Sequence, residues 1–540
     1  MTTATSKDSK SLMNYLKGIL GDCIINGTQN PSGNFHLTVK KEKLSEIVES
    51  ICKDTELKAS LVTVLGADER NINENFKVYV VLFIKSHGVL ITLEAHLGKE
   101  NLSYPAISLR TPSASWNERE LHDLYGIVPQ GIDLQPLVLH RDWPRGKYFP
   151  FRKDFPLSRD IPISEVAHQF DKPHREGLYE IAVGPIHAGI IEPGHLRFCT
   201  LGEEIFKFDA QLFYTHKGIE KMAEGKSVQE ALILAEHVCG MCAYSHSSAY
   251  CQAIETLGKI KIPERAVYTR TIFLEMERLS SHLSDLMAIC SSGGLAFASA
   301  HAGRLREIIM RLNNDLTGHR FLRGLNTIGG LKKNISNQSF DLLLKELEKF
   351  RKLFHELQDL ILNSDSLLDR LETTGYLSTK KAYDLGIVGP PARASNIARD
   401  VRVDTPYLAY AKYELKISIY NDCDALARTK VRIDEVYESI KLIDNLVYDL
   451  PSGEVIEITE QFKPNEIGIG FIESAKGELI HLIMLDEKQK ISRWHVRSAS
   501  YMNWRGMAES TMGEENFRNI VPDGPLVNKS FNLCYACVDR

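Results

Sequence analysis

The chain has 540 residues, of which 43% are hydrophobic and 25% charged, a composition typical of a soluble globular protein with two to four domains. Lysine and arginine total 65 against 70 aspartate and glutamate residues, so the net charge of −5 gives no electrostatic basis for binding nucleic acid. No apolar run could span a bilayer, and the N-terminal sequence lacks a signal peptide's apolar centre. We expect a cytoplasmic protein whose ten cysteines are thiols or metal ligands, because structural disulfides are rare there.

Residues 1–135 are predicted to form a small α/β domain. Within it, residues 76–97 (FKVYVVLFIKSHGVLITLEAHL) have the pattern of a strand hairpin interrupted at the Ser-His-Gly sequence of residues 86–88. Residues 136–177 are rich in proline and basic side chains, as in HRDWPRGKYFPFRKDFPL. This segment is predicted to be an extended linker.

Residues 178–540 are predicted to form a large, mainly helical domain. Residues 263–289, 339–362 and 405–447 carry apolar side chains at three- and four-residue spacing, which is typical of helices that bury one face. The segments EVIEITEQF (454–462) and ELIHLIML (478–485) are predicted to be strands. The predicted fold class is therefore α+β, with a small α/β domain followed by a helical bundle that carries small sheet additions.

Two CxxC pairs, Cys239/Cys242 and Cys534/Cys537, are the strongest chemical signal in the sequence. Ten cysteines at random positions would give about 0.2 such pairs, so two pairs indicate a metal or redox role. Because 292 positions separate Cys242 from Cys534, the spacing favours a site assembled inside a bundle over a closed zinc knuckle. Spacing alone leaves zinc, an iron–sulfur cluster, a redox dithiol and an unusual bimetallic site open.

The surroundings of the cysteines resemble a known family. The pair CGMC, followed by His246, and the segment CYACVDR (534–540) resemble the two nickel-binding motifs of NiFe hydrogenase large subunits. Four further segments resemble the energy-converting, membrane-associated branch of this family, of formate hydrogenlyase type. They are GPIHAGIIEPGHLRF (184–198), FYTHKGIEKMAEG (213–225), GIVGPPARASNIARDVRVDTPY (386–407) and RWHVRSASYMNW (493–504). The segment WNERELHDLYGI (116–127) resembles the small hydrophilic subunit of complex I that neighbours the quinone-pocket subunit and is fused to the large subunit in this branch.

The resemblance implies that the two distant cysteine pairs close over one nickel–iron centre between helices. Cys239 and Cys534 would be terminal nickel ligands, and Cys242 and Cys537 would bridge nickel and iron. The iron would carry CO and two cyanide ligands. His246 would orient a cysteine sulfur by hydrogen bonding, and the alternative is a plain core histidine.

Two glutamates match functional positions of the family. Glu192 matches the proton-relay glutamate and would take over the proton that the terminal thiolate of Cys534 accepts; the alternative is an ion pair with Arg197. Glu220 matches a glutamate that holds a magnesium or iron ion in many relatives. Where those relatives have a histidine partner this chain has Arg540, so an ion pair is the alternative there.

Three positions near the implied centre need separate mention. Arg393, with Asp400 and Arg402, matches a motif near the active-site cavity, and the alternative is a solvated charge cluster. Lys476 occupies the position over the metals that is usually arginine. The usual Asp-Pro before the last cysteine pair is Asn-Leu at residues 532–533. Neither departure removes a metal ligand.

The predicted function is that of the catalytic subunit of a membrane-bound NiFe hydrogenase complex that interconverts H2 with protons and electrons, in the direction of H2 evolution. The other six cysteines are isolated in sequence, so iron–sulfur clusters would lie only in partner subunits. The resemblance implies that the hydrogenase small subunit is one of these partners. The resemblance also implies ferredoxin-like electron-transfer subunits, integral membrane antiporter-like and anchor subunits and, for a formate-linked complex, formate dehydrogenase. The chain would lie on the cytoplasmic, inner face of the cell membrane.

Two alternatives belong to other classes. One is a complex-I-like quinone reductase or coupling subunit without a working NiFe centre; such proteins typically have lost the cysteine pairs, so the four cysteines present here argue against it. The other is a scaffold held together by zinc. Precursors in the hydrogenase family carry a C-terminal extension that is removed after nickel insertion, so a longer gene product cleaved after Arg540 is also expected. The alternative is a natural stop codon there, because some relatives lack the extension.

Overall fold

The structure is a computed structural model that divides into two compact units, residues 1–172 and 173–540. It describes residues 11–30, 33–139, 142–156, 158, 160–164, 177–188, 191–459, 461–514 and 516–540, and only the backbone of residues 5–10.

The first unit contains a five-stranded sheet in the order β1-β2-β5-β4-β3, in which only β2 and β5 are parallel. Its strands are β1 (Ile24–Gln29), β2 (Phe35–Val39), β3 (Ala59–Glu69), β4 (Asn75–Ile84), β5 (Val89–Leu97), β6 (Ser103–Pro105) and β7 (Val128–Gln130), and its helices are α1 (Thr5–Leu20), α2 (Leu44–Lys53), α3 (Arg70–Asn73) and α4 (Ser115–Tyr125). The predicted hairpin is confirmed as β4 and β5, which pair in antiparallel register. Helices α2 and α4 pack against β3.

The segment after β7 packs on the first unit. The backbone N–H groups of residues 137–139 donate to the carboxylate of Asp123 at 2.8–3.2 Å, and the N–H of Lys153 donates to Asp68 at 2.8 Å. The described part of residues 136–164 contains no helix or strand. Residues 165–176 of the predicted linker lie outside the described residues, and the domain boundaries at 135 and 177 stay predictions.

The second unit combines small antiparallel sheets with helices. Its strands are β8 (Leu178–Val183), β9 (His195–Leu201), β10 (Glu204–Gln211), β11 (Asn326–Thr327), β12 (Gly330–Leu331), β13 (Ile467–Ser474), β14 (Gly477–Leu485), β15 (Ile491–Arg497), β16 (Gly513–Glu514) and β17 (Phe517–Arg518). Its helices are α5 (Ile219–Met222), α6 (Val228–Glu236), α7 (Ala243–Gly258), α8 (Glu264–Ser292), α9 (Ala296–Thr317), α10 (Asn337–Leu362), α11 (Asp365–Leu371), α12 (Thr379–Asp384), α13 (Gly389–Ala394), α14 (Val401–Asp404), α15 (Ala425–Tyr448), α16 (Ala499–Met512), α17 (Asp523–Phe531) and α18 (Ala536–Asp539). None of the helices in the described residues is both long and apolar enough to cross a membrane.

The predicted fold class is confirmed, with local corrections. Helices α8 and α10 and strand β14 lie where the patterns predicted them. The helix predicted over 405–447 begins only at residue 425, because the upstream tyrosines are used by other segments: the Tyr407 hydroxyl accepts the Glu473 N–H at 3.1 Å, and the Tyr410 hydroxyl donates to Glu275 at 2.5 Å. The sheet formed by β8, β9 and β10 was not predicted.

The strand predicted at 454–462 is wrong for its described residues. Ile456 forms one isolated bridge to Gly330, and no described neighbouring strand offers it a ladder of hydrogen bonds. The side chain of Ile458 is 74% exposed, so the alternating apolar residues of this segment do not form a buried strand face.

The core of the second unit is the contact between α7 and the sheet β13-β14-β15, with α8 packed on α15 beside it. The helix can lie on β13 because that strand carries glycine at two facing positions. A Cβ atom on Gly470 would lie 1.8 Å from the carbonyl oxygen of Ala249, and one on Gly468 would lie 2.3 Å from that of Ala253. These glycines therefore set the distance between α7 and the sheet.

We expect Gly470→Ala to destabilise the protein by about 1–3 kcal/mol, because the added methyl group would force backbone away from backbone in a close-packed core. Thermal unfolding measures the effect. Gly303→Ala in α9 is the matched control, since the nearest atom there is the flexible Met287 Sδ at 3.3 Å and alanine favours a helix. Equal melting temperatures for the Gly470 variant and the wild type would contradict the close approach.

Candidate metal centre

The two CxxC pairs come together in the second unit. Cys239 and Cys242 lie in the turn between α6 and α7, and Cys534 and Cys537 lie between α17 and the first turn of α18. All four sulfur atoms are within 4.8 Å of one another, and Cys239, Cys242 and Cys537 are at most 3% exposed. The structure thus brings together the four cysteines that the sequence singled out.

The first pair is held by the N-terminus of α7. The carboxylate of Glu277, on α8, accepts the N–H groups of Tyr244 and Ser245 at 2.7 and 3.0 Å and also the Ser245 hydroxyl. A carboxylate is stabilised there by the unpaired N–H groups of the first helical turn. Burial nevertheless raises the pKa of Glu277 to about 7, against the lowering effect of these hydrogen bonds.

The second pair is held by α16 and by the end of α17. Helix α17 ends at Asn532, whose φ of +46° lies in the left-handed region that asparagine tolerates. The N–H of Cys534 donates to the Ser500 hydroxyl at 3.1 Å, and the Ser498 hydroxyl donates to the Cys537 carbonyl at 3.0 Å. Both serines lie at the start of α16, so this helix fixes the loop between the two cysteines.

Residues 539–540 fasten the second pair to the loop before α5. The carboxylate of Asp539 accepts the N–H groups of Phe213 and Thr215 at 2.8 and 2.9 Å. The Arg540 guanidinium pairs with Glu220 at 2.8 Å, and Arg493 pairs with the other oxygen of that carboxylate at 2.7 Å. In this structure Glu220 forms ion pairs, as the alternative prediction had it. A magnesium or iron ion would have to displace a guanidinium group from the Glu220 carboxylate.

The electrostatics of the four sulfurs call for a cation. Hydrogen bonds from Cys242, Cys534 and Cys537 hold the pKa of the Cys239 thiol well below its usual range. Burial and the neighbouring sulfurs raise the pKa of Cys537 well above it. Four ionised thiolates this close would repel one another in a buried site, so a thiophilic metal fits the donor set. Nickel, iron and zinc all satisfy that chemistry.

His246 contacts the second pair from the first turn of α7. Its Nε2 atom lies 3.9 Å from Cys537 Sγ, at the outer limit of a hydrogen bond to sulfur, and its Nδ1 atom lies 2.9 Å from Nε2 of His481. Burial lowers the pKa of His246 to about 4, although Cys239 raises it, so the ring is neutral at physiological pH. The role of orienting a sulfur atom stays a prediction.

Glu192 lies against the second pair. Its Oε2 atom accepts the N–H of Ala536, which is between the two cysteines, at 2.8 Å. Burial raises the pKa of Glu192, and the Ala536 N–H opposes that rise. Arg197, the alternative partner, pairs instead with Glu180 at 2.6 Å.

Lys476 is buried and points to Asp285 on α8. Its Nζ atom donates to Asp285 Oδ1 at 2.6 Å, while Arg432 donates to the other oxygen at 2.8 Å and the Asn532 amide also donates to this carboxylate. Burial alone lowers the pKa of Lys476, but Asp285 and the thiolates of Cys534 and Cys242 raise it above its usual value. The ammonium is therefore charged and adds positive potential near the sulfurs.

Arg393 lies in a buried ion network and not among solvated charges, so the solvated alternative is wrong. Its guanidinium donates to Glu435 at 2.6 Å and to Glu473 at 3.0 Å, with Asp400 at 3.3 Å. Arg393 and Asp400 are at most 1% exposed. Through Glu435 the network reaches His282, which lies 2.8 Å from that carboxylate.

Several residues of the site were not predicted from the sequence. Asp285, Glu277 and Glu435 lie inside helices whose heptad-like patterns indicated only packing, and His481 lies in a buried strand. The one available signal was a polar residue at a position that the apolar periodicity assigns to the core.

Three family models match the chain. "Respiratory-chain NADH dehydrogenase, 30 Kd subunit" matches residues 37–160, and the 49 Kd subunit of the same enzyme matches 294–467 and 457–540. "Nickel-dependent hydrogenase" matches residues 217–288, which include the first cysteine pair. The fused N-terminal domain that the resemblance implied is thereby confirmed.

Curated relatives match over nearly the whole chain. Formate hydrogenlyase subunit 5 of Escherichia coli (strain K12) is 35% identical over 93% of this chain and 88% of its own. Hydrogenase-4 component G of the same strain is 31% identical over 99% and 94%. Among solved structures, a chain of the archaeal membrane-bound sulfane sulfur reductase superposes with a TM-score of 0.64 at 26% identity, covering 68% of this chain and all of that one. At this identity and coverage, the chain belongs to the family of membrane-bound hydrogenase catalytic subunits that includes formate hydrogenlyase subunit 5.

Proposed function

We propose that the four cysteines hold a nickel–iron centre and that the protein evolves H2 from protons and electrons. Cys239 and Cys534 would bind nickel alone, and Cys242 and Cys537 would bridge nickel and iron. When bound, the centre, with CO and two cyanides on its iron, supplies the place where protons and electrons combine. The observation that carries the proposal is the convergence of four sulfurs within 4.8 Å in a chain that matches the nickel-dependent hydrogenase family.

Glu192 is proposed to move protons between the second cysteine pair and the protein surface. The Ala536 N–H holds its carboxyl group beside that pair, and burial raises its pKa toward the range in which a carboxyl group can both accept and release a proton. The thiolate of Cys534 is the proposed exchange partner.

Lys476 is proposed to compensate negative charge at the sulfurs. Its ammonium group is fixed by Asp285, which Arg432 and Asn532 hold in turn. A charge that is already oriented costs no reorganisation when the charge of the cluster changes. Arg393 contributes through the ion network behind this lysine.

The proposed setting is a multisubunit complex on the inner face of the cell membrane. Iron–sulfur clusters of a hydrogenase small subunit would deliver electrons, supplied by ferredoxin-like subunits and, in a formate-linked complex, by formate dehydrogenase. Antiporter-like and anchor subunits would provide the membrane part. The relatives named above, among them formate hydrogenlyase subunit 5 and a chain of an archaeal respiratory membrane complex, support this setting.

A second candidate function is quinone reduction or coupling without a NiFe centre. The match of residues 294–467 and 457–540 to the 49 Kd subunit of NADH dehydrogenase favours it. Metal analysis separates the candidates: nickel and iron for the hydrogenase, no metal for the complex-I-like protein, and zinc alone for a scaffold.

We expect Cys239→Ser and Cys534→Ser each to abolish bound nickel, because a serine hydroxyl is a hard, protonated ligand at neutral pH where a thiolate is needed. Elemental analysis of purified protein measures nickel and iron per chain. Cys251→Ser, in an equally buried position on α7 outside the cluster, is the matched control and should keep both metals. Full nickel in either first variant would refute the ligand assignment.

Glu192→Gln should keep nickel and iron but lose about 10²–10⁴-fold of H2 evolution and H/D exchange, because an amide cannot carry the proton. Glu180→Gln, which removes a carboxylate that pairs with Arg197, should retain both activities. Wild-type H/D exchange in the Glu192 variant would show that the proton leaves by another route.

Lys476→Arg should keep or raise H2 evolution, because the charge and a donor to Asp285 remain and a guanidinium is better preorganised. Lys476→Met should lose most activity while keeping its metals, since Asp285 retains Arg432 and Asn532. The assays are H2 evolution and metal content. Complete loss in the arginine variant with full metals would mean that the lysine has a role specific to an ammonium group.

A further inference from the structure

A continuous chain of hydrogen bonds leads from the sheet to the second cysteine pair. The indole Nε1 of Trp494 lies 3.3 Å from Nδ1 of His481, and Nε2 of His481 lies 2.9 Å from Nδ1 of His246. Nε2 of His246 then faces Cys537 Sγ at 3.9 Å. Trp494 is on β15, His481 on β14 and His246 on α7, so three elements contribute one side chain each.

The direction of this chain follows from its first member. An indole N–H can donate a hydrogen bond but cannot accept one. Nδ1 of His481 must therefore accept from Trp494, and its ring proton resides on Nε2. That proton is donated to Nδ1 of His246, which leaves the ring proton of His246 on Nε2, facing Cys537.

The same geometry requires both imidazoles to be neutral. A proton on Nδ1 of His481 would point at the indole N–H, and a proton on Nδ1 of His246 would point at the His481 N–H. Either arrangement places two donors head to head in a site where Trp494, His481 and His246 are all 0% exposed. Water cannot relieve such a conflict in a fully buried contact.

We infer that Trp494 and His481 are positioning residues that hold His246 in the tautomer whose Nε2–H faces Cys537 Sγ. The benefit of this arrangement to the bridging sulfur rests on the proposed function. With the other tautomer, a ring lone pair would face the thiolate and repel it. Residues that orient a metal site through its ligands commonly affect metal affinity or activity about 10–100-fold when they are changed.

The backbone makes the alignment possible. Antiparallel pairing of β14 with β15 sets Ile483 opposite Trp494, which places the indole two positions further along the sheet than His481 and within reach of its ring. Gly468 and Gly470 of β13 let α7 approach the same sheet closely. The two rings and the indole are then fixed by packing: the rings of His246 and His481 are 5.2 Å apart, and those of His481 and Trp494 are 5.6 Å apart.

The first test reads the tautomers directly and needs no metal. The full chain, produced without nickel and with ¹⁵N in its histidine rings, is studied by NMR, and His246→Gln and His481→Gln assign the two sets of resonances. We expect a protonated Nε2 and an unprotonated Nδ1 in both rings. Trp494→Phe should convert both rings to tautomer mixtures. A protonated Nδ1 in either wild-type ring, or unchanged resonances in Trp494→Phe, would overturn the inference.

The second test reads the effect on the centre in the assembled enzyme. Trp494→Phe and His481→Leu should keep nickel and iron, shift the CO stretching band to lower frequency because the sulfur becomes a stronger electron donor, and lower H2 evolution about 10-fold. The double variant should show no larger shift than either single one, because both act through one chain. His481→Gln should restore the band, since an amide both accepts and donates.

Tyr250→Phe is the matched control. Tyr250 packs edge-on against Trp494 and donates to the Val228 carbonyl at 2.8 Å, so the variant loses a buried hydrogen bond beside the chain without interrupting it. Its CO band should stay at the wild-type frequency. A shift equal to that of Trp494→Phe would mean that any loss of packing near the chain moves the band, and this would overturn the inference. Absence of CO and cyanide bands in the wild type would refute the proposed function, while the NMR test would still decide the tautomers.

Discussion

The close approach of four cysteine sulfurs from segments almost 300 residues apart is the constraint on which the rest of the second unit depends. Each pair lies in a turn beside a helix end. Glu277 binds backbone N–H groups at the start of α7, next to the first pair, and Asp539, which follows the second pair, binds backbone N–H groups in the loop before α5. In both places a carboxylate accepts hydrogen bonds from backbone N–H groups. Such charge-assisted hydrogen bonds are about twice as strong as those between neutral groups.

The buried charges around the cluster are costly, and their arrangement explains how they are kept. Isolated ions would not be stable there, but Arg393 contacts Glu435, Glu473 and Asp400, and Asp285 contacts Lys476. Most members have more than one partner, since Asp285 also accepts from Arg432 and Arg393 contacts three carboxylates, so the network has few alternative arrangements. This rigidity holds the Lys476 ammonium in one place, and a flexible lysine on the surface could not provide that.

The four cysteines that converge could be singled out from the sequence because their signal is local, with two CxxC spacings and a histidine nearby. Helices α8 and α10 could be predicted because their periodicity is regular over more than twenty residues. His481 and Trp494 could not be predicted, because their meaning depends on contacts between a strand and a helix 235 positions away in sequence. The segment 405–424 was assigned wrongly for a similar reason, since Tyr407 and Tyr410 form hydrogen bonds with residues that only the folded chain brings near.

Charge and direction act on different sulfurs of the site. An ammonium group attracts negative charge from every side, so under the proposed function Lys476 would stabilise negative charge on the sulfurs near it, among them those of Cys534 and Cys242. An imidazole N–H acts along one line, so with the inferred tautomer His246 would act on Cys537, whose sulfur atom its Nε2 atom faces at 3.9 Å. Under the proposed function, four chemically identical cysteines would therefore become unequal ligands through their neighbours alone. The neutral, directed hydrogen bonds and the buried ion pairs serve separate purposes, and neither can replace the other.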